Sequence, residues 1–515
     1  MSLASSTLPL GVVTGKAEPH KFAFLASRGV RVGEYVTTDA PEGRLLGLVE
    51  NAAVTSSLLD GVVDFRTAVE AKAVAAKNSR DKGYVAQVKV LGLLEELKKG
   101  SQFMPSLAPE PGADVDEASP TELAKVFSKE GREWAKIGAL LRNRDVPVSI
   151  NVNKMASRHL AILAATGSGK SNLLALIAKR VADLNGTMLV FDYQGEYSDL
   201  RLSNVVHVKA KINPRLLDVE DLADMLDVRE SAEKQRSVLA KVFSSQVREA
   251  PDFWDALVGA LKSYIGDGEA KADDKRVAER LIEIVQRAVR RKAAILDPAI
   301  GDPVDHIQPN HINVLNMLEL TEMQASIVIA YYLGEILEDR KRARRYRLTG
   351  EADKDKDEKI RFVSPVVFAI EEAHSFLPED RDTEAKYIAS KIAREGRKFG
   401  ASLIVVSQRP SRLSQDVLSQ MGSLAVSRIT QPKDQTYIIE SSELVTEELV
   451  AHLPSLNVGE ALLLGQWVTL PSVAKIDRVD EKLMGADIDA VDEWSEDRAS
   501  KSVAAERTSD LIREE

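Results

Sequence analysis

A chain of 515 residues is too long for one ordinary hydrophobic core, so two to four domains are expected. With 44% hydrophobic and 29% charged residues it is globular in balance, no apolar run reaches the ~18 residues of a membrane helix, and zero cysteine excludes disulfides and thiolate metal sites. The formal net charge of −10 argues against a chain that coats nucleic acid with its whole surface, but leaves room for a basic lining inside a channel.

The N-terminal MSLASSTLPLGVVTGKA has no basic leader, which argues against export and for a cytoplasmic protein. The histidines do not cluster, so no structural zinc site is expected. Residues 1–118 read as short strands (Gly11–Val13, Phe22–Ala26, Val32–Val36, Leu45–Val49, Tyr84–Leu91) divided by turns such as Pro41-Glu42-Gly43. Strands so short and so spaced suggest a small β-barrel. A helical stretch at Phe65–Lys77 interrupts it. The unit holds no catalytic constellation and reads as a docking or oligomerisation module. Met104–Pro120 is either the last barrel strand with its loop or a linker.

Residues 119–212 open a second unit. Thr121–Gly131 has Leu123, Val126 and Phe127 on one helical face. Ile137–Leu141 and Val146–Val152 are strands leading to His159–Leu174, HLAILAATGSGKSNLL. There a short apolar strand meets a loop of small residues, then Lys170, Ser171 and an apolar helix. That context makes a phosphate loop credible. Gly167 and Gly169 let successive backbone N–H groups of Ala165, Thr166, Gly167, Ser168 and Gly169 curl around an anion, and the helix N-terminus adds partial positive charge. Lys170 can reach the outer phosphates of ATP, the Ser171 hydroxyl can hold Mg²⁺, and Asn172 continues the loop into the helix. Ala164 stands where the usual pattern has glycine. The alternative is a tight strand-to-helix turn with an exposed lysine. The next strand, Met188–Phe191, ends at Asp192 and Glu196, near the edge where open α/β sheets bind ligands.

Residues 213–308 read as a helical-bundle insertion. Asp218 can cap a helix with Asp221 three residues on, and Val238–Val247, Phe253–Tyr264 and Arg276–Arg290 keep the helical period. Its cations, such as Arg287, Arg290, Arg291 and Lys292, fit a solvated face. Residues 309–479 resume the α/β pattern with strand His311–Asn316. A long helix follows, opened by the Thr321/Gln324 capping box; its basic end, Asp339–Arg347, suits the helix dipole or phosphates. Gly350–Lys359 is a mixed-charge loop.

Val363–Ile370 is a buried strand ending in Glu371-Glu372-Ala373-His374. Two carboxylates thus appear where the terminal phosphate of a bound nucleotide would sit: Glu371 for Mg²⁺, through water, and Glu372 to orient and deprotonate the attacking water. After the helix Glu384–Phe399 comes strand Ser402–Val406, and Gln408 just beyond it can sense the phosphate. Arg397 lies near the far end of its helix and Arg158 precedes the first core strand. Six strand residues span roughly 20 Å, so neither arginine reaches its own subunit's phosphates. They act on a neighbour, which predicts a ring, or they are surface ion pairs. Asp434–Glu440 is a helix, Ala461–Leu464 a final strand, and Trp467–Lys475 runs out of the core. Residues 480–515 form a polar, acidic extension.

In that order ATGSGKSN, FDYQGEY, VVFAIEEAHSFLP, AREGRKFG and VVSQRPS resemble the HerA family of the HerA/FtsK superfamily, over essentially the whole chain. The resemblance implies an α/β fold: a RecA-like P-loop ATPase core with an N-terminal small β-barrel and a helical-bundle insertion. It implies a homo-hexameric motor that hydrolyses ATP with Mg²⁺, moves on double-stranded DNA and works with a NurA nuclease in resecting DNA ends. It gives Lys170 and Ser171 to phosphate and Mg²⁺, Glu371 and Glu372 to Mg²⁺ and the base, and Gln408 to sensing. Arg397 and Arg158 it gives to the neighbour's nucleotide. Arg409 and Arg412 are candidates for DNA contact. The rival readings are a conjugation- or secretion-type ATPase, which needs a membrane partner, and a nucleotide-gated scaffold with little turnover, which has no need of Glu372.

Overall fold

A computed structural model describes residues 8–77, 81–229, 231–267, 271–293, 295–350, 360–441 and 446–481. Nearly all of the mixed-charge loop Gly350–Lys359 and of the extension 480–515 therefore lies outside the described residues. Among the described residues the strands form a closed barrel and one eleven-stranded sheet.

The barrel contains β1 (Gly11–Glu18), β2 (Lys21–Ala26), β3 (Tyr35–Ala40), β4 (Gly43–Ser56), β5 (Lys82–Leu93) and β6 (Asp114–Glu117), in the order β1-β2-β5-β4-β3-β6. Alternation drives it: in β2, Phe22, Phe24 and Ala26 point inward while Lys21 and Leu25 face out. At this scale one sequence expectation is corrected and one open choice is resolved. β3 begins at Tyr35, because Gly33 takes a positive φ of 85° and breaks the strand expected from Val32. Of the two readings of Met104–Pro120, the strand holds: β6 pairs with β1 and β3 and closes the barrel. Helix α1 (Phe65–Ala75) sits between β4 and β5 and buries none of its residues. Helices α2 (Leu94–Lys98) and α3 (Pro120–Phe127) join the barrel to the next unit. A Ser119/Glu122 capping box starts α3, which stops at Phe127, short of the expected Gly131.

The second unit runs β7 (Trp134–Leu140), β8 (Pro147–Asn151), α4 (Val152–Arg158), β9 (Leu160–Leu163), α5 (Lys170–Asp183), β10 (Thr187–Asp192) and β11 (Val205–Lys209). The insertion follows as α6 (Val219–Met225), α7 (Glu233–Val242), α8 (Ser245–Glu249), α9 (Phe253–Gly266) and α10 (Ala272–Lys292). The chain returns through β12 (Ile312–Asn316), α11 (Glu322–Thr349), β13 (Val366–Ile370), α12 (Ala373–Phe376), α13 (Glu384–Glu395), β14 (Ala401–Ser407), β15 (Ser423–Val426), β16 (Glu460–Gly465) and β17 (Ser472–Ile476). The sheet order is β11-β12-β10-β13-β14-β9-β15-β16-β17-β7-β8; it is parallel from β11 to β15 and antiparallel beyond. Runs such as Val366–Ile370 and Ala401–Ser407 are buried at every position, as strands covered by helices on both faces must be. This is an α/β P-loop core with an N-terminal β-barrel and a helical insertion.

The structure corrects the end of the core. Ala461–Leu464 lies in a strand but not the last one. Trp467 is fully buried, and β17 pairs with both β16 and β7, so Trp467–Lys475 stays in the core, its last residues as a strand. Polar residues at Gln466, Thr469 and Ser472 disguise it. β13 starts at Val366, because Pro365 precedes it and has no N–H to give a ladder. Strands β11 and β15 were not expected at all. The barrel is seated firmly: its Tyr35, Leu46, Leu48 and Leu91 belong to the same buried cluster as the α/β core. The Tyr35 ring also packs at a tilt against Phe127, 5.0 Å between centroids, and its hydroxyl donates to the Pro471 carbonyl at 3.2 Å.

Candidate active site

All seven parallel strands end on one edge of the sheet, and the loop after β9 lies there. Its base is stitched to neighbouring strands: the Ala164 N–H donates to Ser407 O at 3.1 Å and Ala165 N–H to Arg428 O at 2.9 Å. Gly167 and Gly169 take positive φ of 72° and 102°, which side chains rarely tolerate, and Lys170 starts α5. Ala164 is not among the residues with positive φ, so its methyl group costs the loop nothing. The loop is held from outside too. The Gly459 N–H donates to Ser168 O at 3.0 Å, and a Cβ on Gly169 would come within 3.3 Å of Gly459 N. Gly459 lies far away in sequence, and nothing in its own surroundings announces this role.

The β13 edge meets the loop directly. Lys170 Nζ lies 2.5 Å from Glu372 Oε1, with both side chains buried. Glu372 is in the left-handed region, φ 47°, a conformation that costs a non-glycine residue of order 1–3 kcal/mol. Its other oxygen is 3.4 Å from His374 Nδ1, which is 3.3 Å from Ser407 Oγ. Burial, joined by Arg409, Lys170 and Arg412, outweighs Glu372 and holds the His374 pKa below its usual value. Gln408 Oε1 accepts from Thr166 Oγ1 at 2.5 Å.

Carboxylates gather beside Ser171, whose hydroxyl donates to Glu196. Glu371 Oε2 accepts from Gln194 N–H at 3.3 Å, and Asp192 Oδ2 from Tyr197 N–H at 3.0 Å. Burial first, then Glu196 and Asp192, push Glu371 well above the usual carboxylate range; burial also raises Asp192. Buried like charges resist ionising together, which is the physical cause of both upward shifts. Among the described residues no cluster of three or more metal-ligating side chains occurs. Magnesium suits such a place, since it takes one or two protein groups and fills its other positions with water and phosphate oxygens. Ser171, Glu371 and Glu196 fit it, because a divalent cation supplies the charge these buried acids lack.

The structure thus brings together Ala165, Thr166, Gly167, Ser168, Gly169, Lys170, Ser171, Glu371, Glu372 and Gln408. The other three expected residues do not put side chains there, and for the two arginines the spacing predicts as much. The Asn172 side chain turns away: its amide donates to Asp477 O at 2.9 Å and accepts from Val479 N–H at 2.9 Å. Arg158 ends α4, and exposed Arg397 sits in a 3-10 turn, Gly396–Lys398. α4 packs against that turn and against β14, so both arginines lie at the start of the parallel strands, the edge opposite the loop. Glu196 was expected near this edge but not as the partner of Ser171. His374 was visible only as the residue two places after Glu372.

A family model described as "Helicase HerA, central domain" matches residues 135–336. The DNA double-strand break repair helicase HerA of Saccharolobus solfataricus is 34% identical over 96% of this chain and 97% of its own. The chain belongs to the HerA family. The like-named helicase of Pyrococcus furiosus is 32% identical, over 94% of this chain and 96% of its own. Among solved structures, VirB4 of Thermoanaerobacter pseudethanolicus aligns at 16% identity and a TM-score of 0.49, over 68% of this chain and 98% of that one. As a HerA-family P-loop enzyme, the chain is an ATP hydrolase of the helicase type. Among the described residues no helix is long and apolar enough to cross a membrane.

Proposed function

We propose that this chain is an ATP-driven motor that moves on double-stranded DNA as a ring of six copies. It works in the cytoplasm beside a NurA-type nuclease, trimming DNA ends during break repair. The observation that carries the reading is the 2.5 Å contact of Lys170 with Glu372. It joins the anion-binding loop to a carboxylate able to act as base, and each partner occupies the other. The outer phosphates of ATP, laid along Thr166–Ser171, draw Lys170 to themselves. Glu372 is then free to accept a proton from water. Thr166 and Gln408 sit together where they can register the phosphate that leaves. Ser171, with Glu371 and Glu196, would hold Mg²⁺, which would supply positive charge against the phosphates.

The ring enters this reading through arginines that stand away from their own copy's loop. Phosphoryl transfer gains a large part of its rate from an arginine against the transition-state charge. Arg158 and Arg397 stand about 23 Å away, the length of the seven-residue β14. Each serves the pocket of the next copy in the ring. DNA and the repair role are supported by the names of the relatives; the nuclease and the number six rest on the family resemblance. ATP turnover measured with and without duplex DNA tests the reading. Turnover stimulated several-fold by duplex is expected. Equal turnover with and without it, at every length tried, overturns the motor.

A further inference from the structure

The helical insertion carries a groove of about 450 Å³ between α10 and the segment that leads into α7. On one wall Arg280, Arg287 and Arg291 follow each other at helical spacing, with Ile284 between the first two. Arg229 faces them from the other wall. Some nearby cations of the insertion are neutralised: Lys234 by Asp273, Arg236 by Glu220 and Asp224, Lys241 by Asp274, and Lys292 by Asp227; among the described residues Lys275, Arg276 and Arg290 of α10 are not, but they do not line the groove. Among the described residues the four groove arginines form no ion pair, although Glu283 shares the lining. In a chain of net charge −10, this is a local surplus of positive charge in a concave place, where a field is focused.

Size decides the ligand class. From Arg280 to Arg291 is 11 residues of helix, about 16 Å. That exceeds a single triphosphate and matches roughly five steps of a DNA strand at about 3.4 Å each. Arginine's planar fork also suits phosphate oxygens. We propose that this groove is a second DNA contact, outside the pore, that grips the phosphate backbone of the duplex being fed to the motor. This rests on the DNA-motor reading above. The contact ignores base identity and weakens with salt.

The test uses the full-length protein with a non-hydrolysable ATP analogue. Duplex affinity is titrated across salt for the parent, for R280A/R287A/R291A and for R280K/R287K/R291K. The alanine variant should flatten the slope of log affinity against log salt by about 2–3, near one per lost phosphate contact. The lysine variant should keep the parental slope, and DNA-independent ATP turnover should not change in either. Parental slope in the alanine variant overturns the groove and leaves the motor standing. A second equivalent of free nucleotide, bound by the parent and lost in the alanine variant at unchanged slope, assigns the groove to small anions and also overturns it. No duplex binding by the parent overturns both readings.

Discussion

At the scale of single residues, the 2.5 Å Lys170–Glu372 contact sets the chemistry. Glu372→Gln keeps the shape, removes the proposed base and leaves Lys170 free for phosphate. Turnover should fall about 10²–10⁴-fold while ATP affinity holds or rises, as rapid-quench hydrolysis and fluorescent-nucleotide titration would show. Turnover at the parental rate would remove Glu372 from the role of base. Lys170, Ser171, Glu371 and Glu372 were legible in the sequence because each sits at a fixed offset from a strand end. Asn172 was not, although it is adjacent to Ser171. Consecutive helical positions point about 100° apart, so the string gave the neighbour but not its direction. Gly459 and Arg428 reach the loop through backbone groups, which no side-chain pattern can reveal.

At the scale of elements, helices were easier to read than strands. Asp218 caps α6 by accepting from Asp221 N–H at 2.8 Å, and Thr321 with Gln324 caps α11, as their spacing predicts. β11 and β15 were invisible for physical reasons. Val205–Lys209 is a sheet edge with polar His207 and Lys209, and Ser423–Val426 is four buried residues with no alternation. One cap site has a pH consequence. Burial, then Asp218, Glu384, Asp224 and Glu220, raise the Asp221 pKa to about 7. The folded state therefore holds this proton more tightly than the unfolded one, and stability falls as pH rises from about 4 to about 7. Asp221→Asn should raise the melting temperature at pH 8, by a margin that shrinks toward pH 4. A constant margin across that range would exclude Asp221 as its source. A second element-scale test concerns the segment after β17. Asn172→Ala removes both of its backbone hydrogen bonds and should cost about 1–2 kcal/mol in denaturant unfolding. ATP affinity should be nearly unchanged, and a large loss of affinity would return the Asn172 side chain to the nucleotide.

At the scale of the whole molecule, the proposed working groups stand on two opposite edges of the sheet. The loop and acids stand at one, Arg158 and Arg397 at the other, and one copy cannot bring them together. Arg397→Ala should lower turnover about a thousandfold or more. Mixing it with Glu372→Gln should restore part of the activity, since on the proposed arrangement a Glu372→Gln copy would lend its arginine to a neighbour that keeps Glu372. Mixtures no better than the sum of the two variants would exclude shared sites.

The chain beyond β17 also leaves from a telling place. Asn172 fastens residues 477–479 to the first turn of α5, and Lys179 pairs with Glu481 farther along the same helix. Whatever catches hold of the polypeptide past residue 481 therefore hauls on the rod whose tip cups the fuel. A pull there would reach the loop through two hydrogen bonds and one ion pair.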